Sequence, residues 1–193
     1  MMIISLSKKS AIPTFGSYRN DWGVALSLLI ILLLSFLSSY GKEKEFNYLK
    51  NGLSFSLPGE WKTISDENLP GKGFYYSAER SGKNATGLFT LVTINNEENP
   101  VKSLLVQEKN MQDEALYKDS GIQFTTIENN RFGSIDAKSV RYESVVKGIK
   151  VSGTIYCFNC AEKTYLLFFQ TGIDDIKKNT KAFKLIEITF ACR

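Results

Sequence analysis

No histidine occurs anywhere in the 193 residues. Its absence removes imidazole bases, Ser-His-Asp and Cys-His nucleophile systems, and most zinc and iron sites. Cysteine is scarce: Cys157, Cys160 and Cys192 are the three present, so at least one thiol stays unpaired within a monomer. The sequence also lacks any cluster of five or six like charges. Net charge is +4, and Lys8, Lys9 and Arg19 against Asp21 supply +2 of it within the first 41 residues. The remaining 21 basic and 19 acidic residues are scattered. Without a basic stripe to track a phosphate backbone, nucleic acid is not an expected partner.

What is present near the start is a long apolar run. Gly23 to Leu37 is uncharged, and Trp22 and Tyr40 flank it at the positions where amphipathic rings anchor at a membrane interface. As a helix, Trp22 to Tyr40 spans about 28 Å at roughly 1.5 Å per residue, close to a hydrocarbon core of about 30 Å. Positive charge precedes the run, while Lys42-Glu43-Lys44-Glu45 sums to zero, which keeps residues 1–21 cytoplasmic and sends the rest across. The expected layout is a cytoplasmic segment over 1–21, an anchor or signal core over 22–40, a charged linker over 41–45 and an extracytoplasmic, periplasmic-side domain over 46–193. Three fates fit the apolar run: an uncleaved membrane anchor, a signal cut after Gly41 that releases a secreted domain, or a buried soluble helix. Leu37-Ser38-Ser39 and Gly41 resemble the lipoprotein signals of Bacteroidetes-type bacteria, which place cysteine between the serines and the glycine. Tyr40 stands there instead, and a thioether cannot form on tyrosine.

The 152 residues beyond Gly41 suffice for one domain with one core. Hydrophobic content of 43% with 12% aromatics argues against disorder. Phe46 and Tyr48, then Leu53, Phe55 and Leu57, alternate around Asn51-Gly52, the pair best suited to a type I′ hairpin turn. Gly73–Arg80 and Leu88–Asn95 read as further strands. Pro100 opens a predicted helix to Asp119, with Val101, Leu104, Leu105, Met111, Ala115 and Leu116 on one face. Glu108 and Gln112 share that face, either reaching solvent at its edge or marking a polar binding spot beneath the helix. Four strands follow, broken at Asn129-Asn130, Lys147-Gly148 and Ala161-Glu162, and these short links predict an antiparallel meander. Tyr165 to Phe169, apolar at every position, fits a central strand covered on both faces. A second helix is expected from Asp174-Asp175, with Ile176, Phe183 and Ile186 buried, and Glu187 to Phe190 as a closing strand.

The class this order implies is α+β, an antiparallel sheet sandwiched by helices. Over Phe46 to Phe190 it resembles the fold shared by PsbP, an extrinsic protein of photosystem II, and the Mog-type Ran-binding proteins. The residues that carry the resemblance are "GLSFSLPGEW" at Gly52 to Trp61, "KTYLLFFQTG" at Lys163 to Gly172 and "AFKLIEITF" at Ala182 to Phe190. It implies a binding or assembly module, with bacterial members exported or lipidated. Plant members hold metal partly through histidine, so no metal or other cofactor is carried over to this chain.

"CFNC", Cys157 to Cys160, is the one motif that looks like chemistry. A redox CxxC places its first thiolate at a helix N-terminus, whereas here it falls at a strand end. Along a strand, residues three apart lie about 10 Å apart on opposite sides, so the pair joins only if the turn folds back early. Bridges of Cys157 or Cys160 to Cys192, and three free thiols, are the other arrangements. Asn84-Ala85-Thr86 matches a glycosylation sequon that also arises by chance. Asp66, Glu67, Glu97 and Glu98 read as solvated loop residues with no acid/base pairing. Taken together, the residues predict a membrane-tethered domain without catalytic activity that binds an unidentified protein or small ligand. The alternatives are a thiol-dependent redox enzyme and a purely structural envelope protein.

Overall fold

Asn51 and Gly52 both take positive φ, 55° and 78°, as a type I′ turn requires. The turn joins β1 (Phe46–Lys50) to β2 (Leu53–Leu57), with Lys50 opposite Leu53. A side chain at position 52 would meet the carbonyl oxygen of Arg193, whose N–H bonds back to the Gly52 carbonyl at 2.9 Å. The computed structural model describes residues 45–193. Trp22, Tyr40 and the expected span between them therefore lie outside the described residues. Among the described residues no helix is long and apolar enough to cross a membrane.

The chain continues through β3 (Trp61–Leu69), β4 (Gly73–Arg80), β5 (Leu88–Ile94), α1 (Pro100–Asp113), β6 (Gln123–Phe124), β7 (Glu128–Phe132), β8 (Ile135–Val146), β9 (Ile149–Cys160) and β10 (Lys163–Gly172). A 3₁₀ turn at Ile173–Asp175 then leads into α2 (Ile176–Thr189) and β11 (Ala191–Cys192). Eight strands form one antiparallel sheet in the order β3-β4-β5-β10-β9-β8-β6, with β7 also paired to β8. A small sheet, β1-β2-β11, packs with α2 over one face, and α1 covers the other.

β10 shows why two layers are needed. Tyr165, Leu167 and Phe169 enter the core under the small sheet and α2, while Leu166 and Phe168 enter the core under α1. The first core is aromatic. Tyr48 stacks on Phe55 at 4.7 Å, Phe55 meets Phe89 edge-on at 5.4 Å, and Phe132 stacks on Phe158 at 5.7 Å. Each such side chain, fully buried, contributes about 1.5–3 kcal/mol.

Several expectations shift. Trp61–Leu69 is an edge strand rather than a loop, so Asp66 and Glu67 lie on β3. Its exposed, charged face and a bulge between Thr63 and Ser65 deter further pairing, and they also hide the strand's periodicity. Asn129 and Asn130 sit within β7, and the turn falls instead at Gly133-Ser134, between the paired Phe132 and Ile135. α1 stops at Asp113 rather than Asp119, so Leu116 lies beyond it and is exposed; within the helix Leu104 and Met111 are buried but Leu105 is exposed. Residues Glu187 to Thr189 are the last turn of α2, and the closing strand is Ala191–Cys192.

Candidate functional site

β8 and β9 carry apolar residues on the α1 face, where Val140, Tyr142, Ile155 and Cys157 are buried. The alternate positions, Arg141, Glu143, Ser152 and Thr154, point to the face that α2 shares. Here α2 reaches β2 and β10 but leaves the end of β8 and β9 uncovered. The result is a groove of about 640 Å³, with those four polar side chains on the sheet side and Ile176 and Phe183 on the helix side. Phe183 meets Phe169 edge-on at 5.0 Å and closes the floor. Arg141 is its cation and Glu143 its anion, and the hydroxyls of Ser152 and Thr154 are both donors and acceptors. Such a mixture recognises polar groups attached to an apolar body.

The groove is backed by closely packed, hydrogen-bonded side chains. Tyr142 lies against Gly153 on the opposite face, where any side chain would strike its ring. The hydroxyls of Tyr142 and Tyr117 both donate to Gln170 Oε1 at 2.9 Å, using both acceptor sites of one amide oxygen. Burial pushes the Tyr142 phenol well above its ordinary pKa, so it remains a donor.

At the start of α2 a polar network links four segments. Arg80 pairs with Asp175 and donates from Nε to Asn179 Oδ1 at 2.8 Å. Thr86 donates to Asp175 Oδ2 at 3.0 Å and accepts from the Gly172 N–H at 2.9 Å. Asn179 donates to Thr171 Oγ1 at 2.7 Å. Burial alone would raise the Asp175 pKa, but the Thr86 hydroxyl, Arg80 and Lys178 outweigh it and hold the carboxyl below its usual range.

The cysteines resolve by strand parity. Cys157 faces the α1 core and Cys160 the opposite one, so the CxxC residues do not meet. Cys160 is bridged instead to Cys192, with Cα atoms 6.2 Å apart, tying β9 to β11. Cys157 is free and buried, and burial with the nearby Glu98 charge pushes its thiol up to about 12. That is the reverse of an activated nucleophile. Glu108 is half-buried on α1, with its carboxyl pKa raised by desolvation, and Gln112 is exposed. Neither lines the groove. Among the described residues no three cysteines and carboxylates come together to hold a metal ion. The groove residues escape a sequence search because each is an ordinary polar residue alternating with core residues; the signal was the missing cover.

No protein-family profile matches the sequence, and no curated protein matches it. Solved structures do. The solution structure of cyanobacterial PsbP (CyanoP) from Synechocystis sp. PCC 6803 matches with a TM-score of 0.57 at 9% identity, over 80% of this chain and 96% of that one. A crystal structure from Bacteroides thetaiotaomicron VPI-5482 matches with a TM-score of 0.52 at 14% identity, over 79% of this chain and 49% of that one. Identities this low speak to architecture alone. An antiparallel sheet between a hairpin-plus-helix layer and a single helix is thus a PsbP-like fold.

Proposed function

We propose that this chain is a non-catalytic accessory domain, tethered at the extracytoplasmic side of a membrane by residues 22–40, that binds a partner protein or small ligand in the groove between β8–β9 and α2. The groove carries the reading: a sheet face left open beside a helix, with charge, hydroxyls and an aromatic floor together. The chemistry of the thiols supports it. Cys157 is buried with a raised pKa and Cys160 is engaged by Cys192, which leaves no acidic, accessible thiolate for redox work. A structural disulfide also suits an oxidising, extracytoplasmic compartment.

The test is site-specific photocrosslinking in the native host, with p-benzoylphenylalanine at Thr154 and, as control, at exposed Lys118 on the α1 side. A discrete adduct from position 154 and none from 118 is the expected result. No adduct at 154, or the same adducts from both, would leave a purely structural envelope role. Retention in an alkaline-washed membrane fraction tests the tether separately.

A further inference from the structure

We infer that a second concavity, at the start of α2, is a binding site for a phosphate group. It measures about 790 Å³ and is bounded by the loop after β4, the β8–β9 hairpin and the 3₁₀ turn. Arg80, Lys83, Lys150 and Lys178 line it, against Asp174 and Asp175. Arg80 and Asp175 cancel each other as a nearly buried pair, their side chains 9% and 12% exposed. What remains is three lysines against Asp174, a net +2. Beyond Gly41 the whole chain has 21 basic and 19 acidic residues, so this one concavity holds an excess equal to that of the entire domain. The groove beside β8 and β9, by contrast, balances Arg141 with Glu143.

Lys83 and Lys150 enter no ion pair among the described residues, and Lys178 reaches Asp175 at 3.8 Å. Lys83 and Lys150 are therefore available to a ligand, and Lys178, 70% exposed, stands beside them with its Asp175 contact at the long limit of an ion pair. Ile149 and Ile173, 50% and 45% exposed, also line the concavity and give it an apolar rim. A phosphate beside aliphatic surface is the chemistry of a phospholipid headgroup, and a soluble phosphate ester presents the same group. Carboxylates suit the site less well, since compact ammonium groups from three directions match a group with several charged oxygens.

The experiment uses the full-length chain in neutral detergent, with Ile149→Cys carrying an environment-sensitive dye; Cys157 is buried and the other two cysteines are bridged. Phosphatidylglycerol or phosphatidylcholine is added as mixed micelles, and sn-glycerol 3-phosphate as the soluble probe. The expected result is a saturable response to phosphatidylglycerol or to glycerol 3-phosphate. Paired Lys83→Gln and Lys150→Gln substitutions should weaken it roughly 25-fold, at about fivefold per lysine. Asp174→Asn should tighten it roughly twofold to fivefold. A response to phosphatidylglycerol alone assigns a lipid source, and one to glycerol 3-phosphate a soluble source. A response to neither, or one that the lysine substitutions leave unchanged, overturns the site. Crosslinking at Thr154 does not bear on this result, because the groove and the concavity share no residues.

Discussion

Breaking the Cys160–Cys192 bridge offers a quantitative check on how the domain is closed. The bridge spans a sequence separation of 32, and loop-closure entropy for a loop of that length gives about 3.7 kcal/mol of stabilisation. Without the bond, β11 keeps just two paired positions on β2, Ala191 with Ser54 and Cys192 with Leu53. Phe190 still meets Phe132, Phe158 and Tyr165 edge-on, at 5.4, 5.7 and 6.1 Å. Those contacts keep the segment docked, so Cys192→Ser should lose the entropic term without unfolding the core. For a domain of roughly 150 residues, 1 kcal/mol moves Tm by about 2–4 °C, so a fall of about 7–15 °C is expected by differential scanning calorimetry. Cys160→Ser should match it, and the double variant should cost no more than either single one. A Tm within about 2 °C of the parent would refute the reasoning. Thiol counting on protein isolated from the native host completes the test: alkylation after denaturation should label one cysteine, Cys157.

Other expectations follow from single sites. Ala161 and Glu162 hold φ of 50° and 62° in the β9–β10 turn; replacing them with Asn and Gly should raise stability by about 1–2 kcal/mol, seen as a higher urea midpoint at unchanged slope. Gly153→Ala should cost about 1–3 kcal/mol in the same assay, because the added methyl strikes the Tyr142 ring; a neutral result would show that the ring moves freely. The lowered Asp175 pKa stabilises the fold fully above about pH 4, its unfolded value, and that contribution is lost as pH falls through the folded one. Asp175→Asn should therefore cost about 3–5 kcal/mol at pH 7 and flatten the acid limb of the stability curve below about pH 4; an unchanged acid limb would refute the pairing. Native protein at pH 7 should alkylate Cys157 slowly, in line with a buried thiol at about 12, and rapid labelling would reopen thiol chemistry.

The readable parts of the fold were those where local chemistry and burial agree. Asn51-Gly52 specifies its turn through backbone conformation, and Tyr165 to Phe169 is apolar throughout because both faces of β10 are covered. β3 was hidden because an edge strand exposes one side and carries charge there, which erases alternation. The end of α2 is not legible locally, since Glu187 to Thr189 include strand-like residues held helical by packing under β2, and the chain turns extended only at Phe190. The choice between Cys157 and Cys160 needed one more fact, which core each face of β9 meets. The groove and the lysine concavity are assembled from segments far apart in sequence, so no local pattern announces either.

The small sheet has a consequence for the order in which the domain can be completed. β1 and β2 are made early, but their third strand, the covalent clasp and the Arg193–Gly52 bond all await residues 191–193. A chain threaded through a membrane pore with β1 ahead of β11 would deliver those residues after the other strands of the domain. The leading hairpin alone is marginal in water, as two-stranded ribbons are. The finished packing would then form on the far side after β11 has passed, which keeps the polypeptide loose enough to be threaded until then.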